Sequence, residues 1–403
     1  MHSVLGGIKS STDMRTASTS RRRFLAASGA SVAAAMLSPL ARLAAAQPPL
    51  ADGRFVRTLP LGDPLRRDDP PLNQILGAGL DARLFTDLSS LARGDTITPN
   101  DRFFVRTACP EKAKATDAWT IACEGRVRRP LSLRVDEISR SAAPRGAHLL
   151  ECAGNTNPNN YGLMSAAEWD GMPMTTLLER LLPLPGAHRV LVSGVDDEGP
   201  SMTSTPGASW IFSRDDLERT GAFLATKMNG SALSPHHGAP VRLVVPGWYA
   251  CTCIKWVDRI ELVAEDAAAT SQMVEFATRT HQPGGASLAR DFTPATIDVA
   301  AMPIRVEQWD VQGRPLYRII GITWGGSTPA DALQIRFDTG GPWNDVSDFP
   351  RPRTTATWSL WSHRWQPGEA GRYHIVLRVK DPAIRTRRLD LFFYIRTVDV
   401  TDV

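Results

Sequence analysis

The spacing of apolar and polar positions divides the chain into stretches of different character. From 102 to about 266, short apolar-rich runs predict strands over 102–106, 119–124, 148–152, 189–193, 241–245 and 256–262. Helical spacing interrupts them irregularly and predicts helices over 175–182 and 214–220. Strands and helices mixed in this way, with no regular strand–helix–strand repeat and no Gly-rich nucleotide loop, imply an α+β domain. Beyond about 303 the alternation is regular between turn signals and predicts strands over 318–324, 332–338, 355–361, 371–380 and 389–397, the lengths and spacing of a β-sandwich. The stretch 267–303, with Pro283-Gly284-Gly285 in it, reads as a connector. Residues 47–93 are rich in Pro, Asp and Arg and read as an arm wrapping the following domain, with one helix expected near 81–91.

The first residues change that picture. Arg21-Arg22-Arg23-Phe24-Leu25 precedes a moderately apolar stretch that ends in Ala44-Ala45-Ala46, the pattern of an export leader rather than a spanning helix. Paired arginines before Phe-Leu fit the twin-arginine class, whose passengers cross the membrane folded and reach the periplasm, whereas Gly29 and Pro39 argue against a first helix of the mature fold. The expected division is therefore a leader over 1–46, an arm over 47–96, an α+β domain over 97–290 and a sandwich over 291–403. With 403 residues the chain exceeds what one core normally fills. A net charge of +4, with the basic residues scattered, gives no reason to expect nucleic acid or an anionic membrane surface as partner, and no stable membrane span is expected in the mature chain.

Five cysteines are an odd number for an oxidising compartment, so at least one thiol is free, shared between chains or a ligand. No C-x-x-C-H haem attachment occurs, and Cys251-Thr252-Cys253 lacks the C-x-x-C spacing of redox or zinc sites. Cys152 is the candidate ligand: it ends a predicted strand and is followed by Gly154 and Asn155, a turn that projects a side chain into a cleft while backbone N–H groups stay available. The plain alternative is a buried structural thiol.

Glu151-Cys152-Ala153-Gly154-Asn155 resembles the metal-binding cysteine segment of the sulfite oxidase family. The residues from Ser165 to Gly171 are similar to the small-residue stretch that follows it in that family, and those from His237 to Gly247 to its pterin-binding segment. Residues 254–260 resemble the family's next strand, and 98–106 its entry segment. Trp358-Ser359-Leu360-Trp361 ahead of Gly371-Arg372-Tyr373 resembles its immunoglobulin-like dimerisation domain, so a homodimer is expected. The resemblance implies a molybdenum-molybdopterin cofactor, with Cys152 as thiolate ligand of the metal and, with Arg106, part of the catalytic centre. It implies cofactor contacts from Phe104, Arg106, Asn155, Asp196, His237, Arg242 and Lys255, the cations answering the pterin's phosphate. Each of these residues alone would serve equally as ordinary structure; Arg106 would sit in a surface ion pair and His236 beside the site would simply be exposed.

The chain also departs from sulfite oxidases. Two arginines follow the C-A-G-N run in that family, but here Thr156 and Asn157 do, which weakens a pocket for a dianion. The family's active-site tyrosine has no clear counterpart in 273–281, where Phe276 stands, and Thr107-Ala108 replace a polar pair after Arg106. The leading expectation is oxygen-atom transfer of the sulfite-oxidising kind on a small anionic substrate, with electrons leaving to a separate acceptor such as a periplasmic c-type cytochrome. The rivals are reduction of a sulfoxide or other S-oxide, a cofactor-free secreted binding protein, and a cysteine hydrolase, for which no base stands near Cys152 in the sequence.

Overall fold

The strands of the central region form where buried apolar side chains alternate with more exposed ones, as in Thr120–Gly125, with Ile121 and Cys123 buried, and in Val257–Val263, with Ile260 and Leu262 buried. In the computed structural model, which describes residues 53–62, 70–114, 118–157, 160–196 and 207–403, they build two five-stranded sheets. The expected leader over 1–46 lies outside the described residues. One sheet runs Arg242–Val244, Phe223–Met228, Met164–Pro173, Ala143–Glu151, all antiparallel, with Ser231–Ala232 added beside Phe223–Met228. The other runs Leu131–Arg134, Thr120–Gly125, Val257–Val263, Arg189–Gly194, Ser209–Ser213, with a single parallel pairing between Thr120–Gly125 and Val257–Val263.

Short helices close the core between these sheets. Met174, Leu177, Leu178 and Leu181 of the helix Met174–Leu181 recur at helical spacing and are all buried. The helix Arg214–Thr220 starts where Ser213 Oγ accepts from Asp216 N at 3.0 Å, and ends at Gly221, whose φ of 63° suits glycine. One apolar cluster runs from Phe103 through Trp169 and Trp210 to Phe276 and unites both sheets with these helices.

A second core belongs to two four-stranded antiparallel sheets. One is Gly53–Leu59, Ala300–Val311, Arg314–Trp324, Ser359–Trp365; the other is Asn344–Asp345, Leu333–Arg336, Gly371–Val379, Arg396–Val400. Leu149, Met164 and Ala166 of the first region belong to the same cluster, so the two cores meet along the strands that lead into Cys152. The fold is thus a mixture of helix and sheet in which sheet predominates.

Three expectations are corrected. The segment 81–91 holds no α-helix, only 3-10 turns at Gly79–Asp81 and Leu88–Ser90, because its backbone is extended by bridges from Leu76 to Arg83 and from Leu84 to Val105. The segment 102–106 is no full strand; that one bridge at Val105 follows a 3-10 turn at Asn100–Arg102. The last strand is Arg396–Val400 rather than 389–397, and Leu389 and Tyr394 are buried from turns. The arm also does more than wrap its neighbour, since Gly53–Leu59 pairs with Ala300–Val311 as an edge strand of the C-terminal sheet. The strand Ala300–Val311 escapes a period-two reading because ten consecutive residues are buried, Arg305 and Glu307 among them.

Candidate functional site

Strand ends from both central sheets converge on one cleft. Leu243 N donates to Ile254 O at 2.7 Å and Val257 N to Val241 O at 3.0 Å, which splices the strand Arg242–Val244 to the segment entering Val257–Val263. The cleft opens to solvent and is lined by both charged and apolar side chains. Seven of the eight expected site residues line it: Phe104, Arg106, Cys152, Asp196, His237, Arg242 and Lys255.

Cys152 sits one residue past the end of Ala143–Glu151, with its N bonded to Leu163 O at 2.9 Å and its Sγ accepting from Gly154 N at 3.3 Å. The sulfur is thus held by the turn that the Gly-Asn run predicted. Phe104 is buried and anchored by Ser165 Oγ at 2.9 Å from its N, and Arg106 donates from Nη1 to Leu80 O at 2.9 Å. Asp196 Oδ2 accepts from Gly207 N at 3.2 Å.

Two cations lie deep in the wall. Arg242 donates to His237 O at 3.3 Å and Cys253 O at 3.2 Å, its Nε has no partner, and burial pulls its pKa down to about 10. Lys255 Nζ donates to Thr107 O at 2.6 Å and His236 O at 3.0 Å; burial first, then Arg242, pushes its pKa well below the usual value. Arg242 also lies over the Trp169 ring at 5.6 Å and half-buried Lys255 over Trp256 at 4.1 Å with the charge of Asp196 acting on it, so each cation is held by carbonyls and an indole face, and an anionic ligand would offset the cost of removing them from water.

His237 is a different kind of wall residue. Its Nε2 meets Phe103 O at 3.0 Å and its Nδ1 meets Ser234 Oγ at 2.7 Å, so both ring nitrogens are engaged within the protein. Burial lowers its pKa to about 4, leaving a neutral ring that shapes the cleft rather than a cation that grips phosphate. Asn155 does not line the cleft: its amide donates to Tyr161 O at 2.9 Å and accepts from Leu163 N at 3.2 Å, binding the two ends of the cysteine loop together.

Other groups line the cleft as well, among them His236, which the sequence offered as merely exposed. His236 lines the cleft with Nδ1 accepting from Cys109 N at 3.1 Å, and Cys251, Gln272 and Glu275 also line it. Arg83, from the arm, bonds Leu80 O, Ala82 O and Arg106 O; burial and then Arg106 lower its pKa to about 10, while the Cys152 sulfur acts in the opposite sense. Arg279 stacks on Phe276, and the space a Cβ on Gly154 would take lies 3.3 Å from its Nη1 and 3.7 Å from Cys152 Sγ. Arg83 and Arg279 thus bring guanidinium groups toward the sulfur from segments far from Thr156 and Asn157 in sequence. All five cysteines are free thiols.

Comparison with known proteins decides what this cleft belongs to. Residues 107–271 match the oxidoreductase molybdopterin binding domain. Sulfite oxidase of Gallus gallus is 28% identical over 312 residues, covering 68% of this chain and 64% of that enzyme. These likenesses support a molybdopterin oxidoreductase of the sulfite oxidase kind. Nitrate reductase [NADH] 1 of Nicotiana tabacum is also 28% identical, over 217 residues, but only 22% of its length is matched. The chain therefore spans less than two thirds of these curated relatives. The sulfane dehydrogenase SoxCD of Paracoccus pantotrophus shares the fold, with a TM-score of 0.60 at 18% identity over 87% of this chain and 96% of that one.

The molybdopterin binding domain and the sulfite oxidase relatives indicate a molybdenum-molybdopterin cofactor. The cleft fits it on three observations: a thiol sulfur at the wall, an orphaned buried Nε on Arg242, and a cradle at Gly238. There a Cβ would come within 2.9 Å of Arg242 Cβ and 3.1 Å of Lys255 Cβ, and the φ of 102° favours glycine, so the backbone comes close between the two cations.

Proposed function

We propose that this protein oxidises a small sulfur oxyanion by oxygen-atom transfer, in the manner of sulfite to sulfate, and passes the electrons to an external carrier. The observation that carries this reading is that Cys152 and Arg106 line one cleft, with Arg83 bonded to Arg106 O behind it and the Arg279 guanidinium beside Gly154 of the cysteine loop. The bound cofactor supplies a metal that exchanges two electrons with the substrate. The protein's residues supply the rest. Cys152 offers a soft thiolate to that metal, and Arg242 and Lys255 offer buried positive charge to the phosphate and ring edge of the pterin. Asp196 at the rim accepts hydrogen bonds, and Phe104 and neutral His237 fix the cleft's shape without adding charge. Arg106, with Arg83 behind it, draws the anion toward the sulfur.

Thr156 and Asn157, standing where sulfite oxidases have arginines, favour a second reading, the reduction of a sulfoxide or related neutral S-oxide. The cations from Arg83 and Arg279 speak for the anionic substrate. Export by the twin-arginine route to the periplasm, a c-type cytochrome as acceptor, and pairing of two copies through an immunoglobulin-like C-terminal sandwich complete the proposal. They rest on the leader sequence, on the absence of a haem attachment motif and on the Trp358–Tyr373 resemblance.

The test uses protein purified with its metal, checked for about one molybdenum per chain. Sulfite-dependent reduction of ferricyanide and of a c-type cytochrome is expected. No turnover at any practical sulfite concentration, together with methionine sulfoxide reduction driven by reduced viologen, would establish the second reading instead. Metal-free protein from its native compartment would defeat both.

A further inference from the structure

The residue before the metal ligand carries a feature that the proposed chemistry does not use. Glu151 is 1% exposed, yet its carboxylate accepts four hydrogen bonds, each from a side chain. Oε1 accepts from Arg387 Nη1 at 2.7 Å and Tyr161 OH at 2.9 Å; Oε2 accepts from Arg387 Nη2 at 2.7 Å and Trp324 Nε1 at 2.8 Å. Arg387 stacks over Tyr249 at 5.2 Å and Trp324 at 5.7 Å, and its Nη1 donates to Tyr394 OH at 2.9 Å. Successive side chains of a strand point to opposite faces, so Cys152 turns to the cleft while Glu151 turns to the C-terminal sheets.

A charge placed there is not explained by stability alone. A buried ion pair is seldom more stabilising than apolar residues of the same volume, because desolvation offsets the attraction. What such a pair does supply is a fixed orientation and a fixed local field. Tyr161, a donor to Glu151, also closes the loop back to the ligand, since its carbonyl accepts from Asn155 and Leu163 O accepts from Cys152 N.

We infer that Glu151 and Arg387 are positioning residues for the molybdenum centre: a bidentate pair through which the C-terminal sheets hold the Cys152 strand and balance the charge behind its sulfur. This rests on Cys152 being the ligand. The carboxylate and the guanidinium act with opposite signs on the metal, and they cancel only as a pair.

The test is the midpoint potential of the bound molybdenum and the spectrum of its paramagnetic form, measured on metal-loaded variants whose folding is confirmed by circular dichroism. Arg387→Met leaves an uncompensated negative charge, favours the oxidised metal and is expected to lower the potential. Glu151→Gln leaves an uncompensated positive charge and is expected to raise it. The double variant Glu151→Gln/Arg387→Met returns toward the wild-type value, and Arg387→Lys falls between wild type and Arg387→Met. If Arg387→Met does not fold, Glu151→Gln and the double variant still decide, because displacement in one and return in the other is required. Single variants that both leave the potential unchanged, or shift it in the same direction, overturn the inference. Cys152→Ser measured alongside separates the two failures: if it leaves the spectrum unaltered, the ligand reading itself has failed.

Discussion

The cleft and the C-terminal sheets both bury charged side chains, and they do so in opposite ways. Behind the cleft and in the sheets, buried arginines meet carboxylates: Arg387 with Glu151, and Arg305 and Arg318 with Glu307 at 3.0 and 2.6 Å. In the cleft wall, Arg242 and Lys255 donate to backbone carbonyls and lie over Trp169 and Trp256, with Asp196 offsetting part of the repulsion that Arg242 exerts on Lys255. A buried cation matched by a carboxylate has its charge balanced within the fold, whereas one held by carbonyls and an indole face keeps positive charge to offer an anion. The same residue type therefore reads as structure or as site according to its partner.

That contrast can be broken most directly at its centre. Cys152→Ser is expected to reduce turnover by at least about a thousandfold, the loss typical of a group that acts directly on the reacting centre, while the unfolding midpoint stays close to wild type. Cys123→Ser, in the apolar core where burial raises the thiol to about 12, is expected to cost about 1–2 kcal/mol and leave kcat unchanged. Steady-state kinetics and urea unfolding on both variants check the pair.

The contrast sharpens when one cation is removed from each region. Arg387→Met strands Glu151 and is expected to cost about 3–5 kcal/mol in urea unfolding of cofactor-free protein. Arg242→Met removes a charge held by two carbonyls, so cofactor-free protein should lose no more than about 1–3 kcal/mol, yet purified protein should lose most of its molybdenum. A large stability loss in Arg242→Met would erase the distinction.

A smaller effect comes with pH. His237 has its pKa lowered to about 4, so the unfolded chain binds more protons than the folded one between about 6.5 and 4. Its contribution is present above that window and is lost as pH falls through it, by at most about 3 kcal/mol. His237→Gln should flatten this part of the profile relative to wild type. Least affected should be an exposed pair: Arg372→Ala, which breaks the contact to Asp399 at 2.8 Å, is expected to shift stability by less than about 1 kcal/mol.

Much of the cleft was legible because its residues lie in contiguous segments with their own grammar. A strand that ends in Cys, then Gly and Asn, announces a projecting sulfur, and His237 to Gly247 announces the loop holding Arg242. Asn155 was read as a cofactor contact but closes its own loop, a distinction between two hydrogen-bonding fates that composition does not carry. Arg83 and Arg279 gave no signal, since an arginine in a Pro-rich arm and another in a turn look like any surface cation. The helix expected over 81–91 failed for a related reason: its propensity yielded to backbone bridges made with distant residues.

The order of local patterns along the chain was enough to point to a molybdopterin cofactor and to Cys152 at the end of its strand, because each is written in residues close together. Only the folded chain decided which charges are paired, since Arg387 and Glu151 stand 236 residues apart and no local pattern can record a contact made across that distance. Polar chemistry is set by neighbours in space, and the tertiary structure alone supplies them.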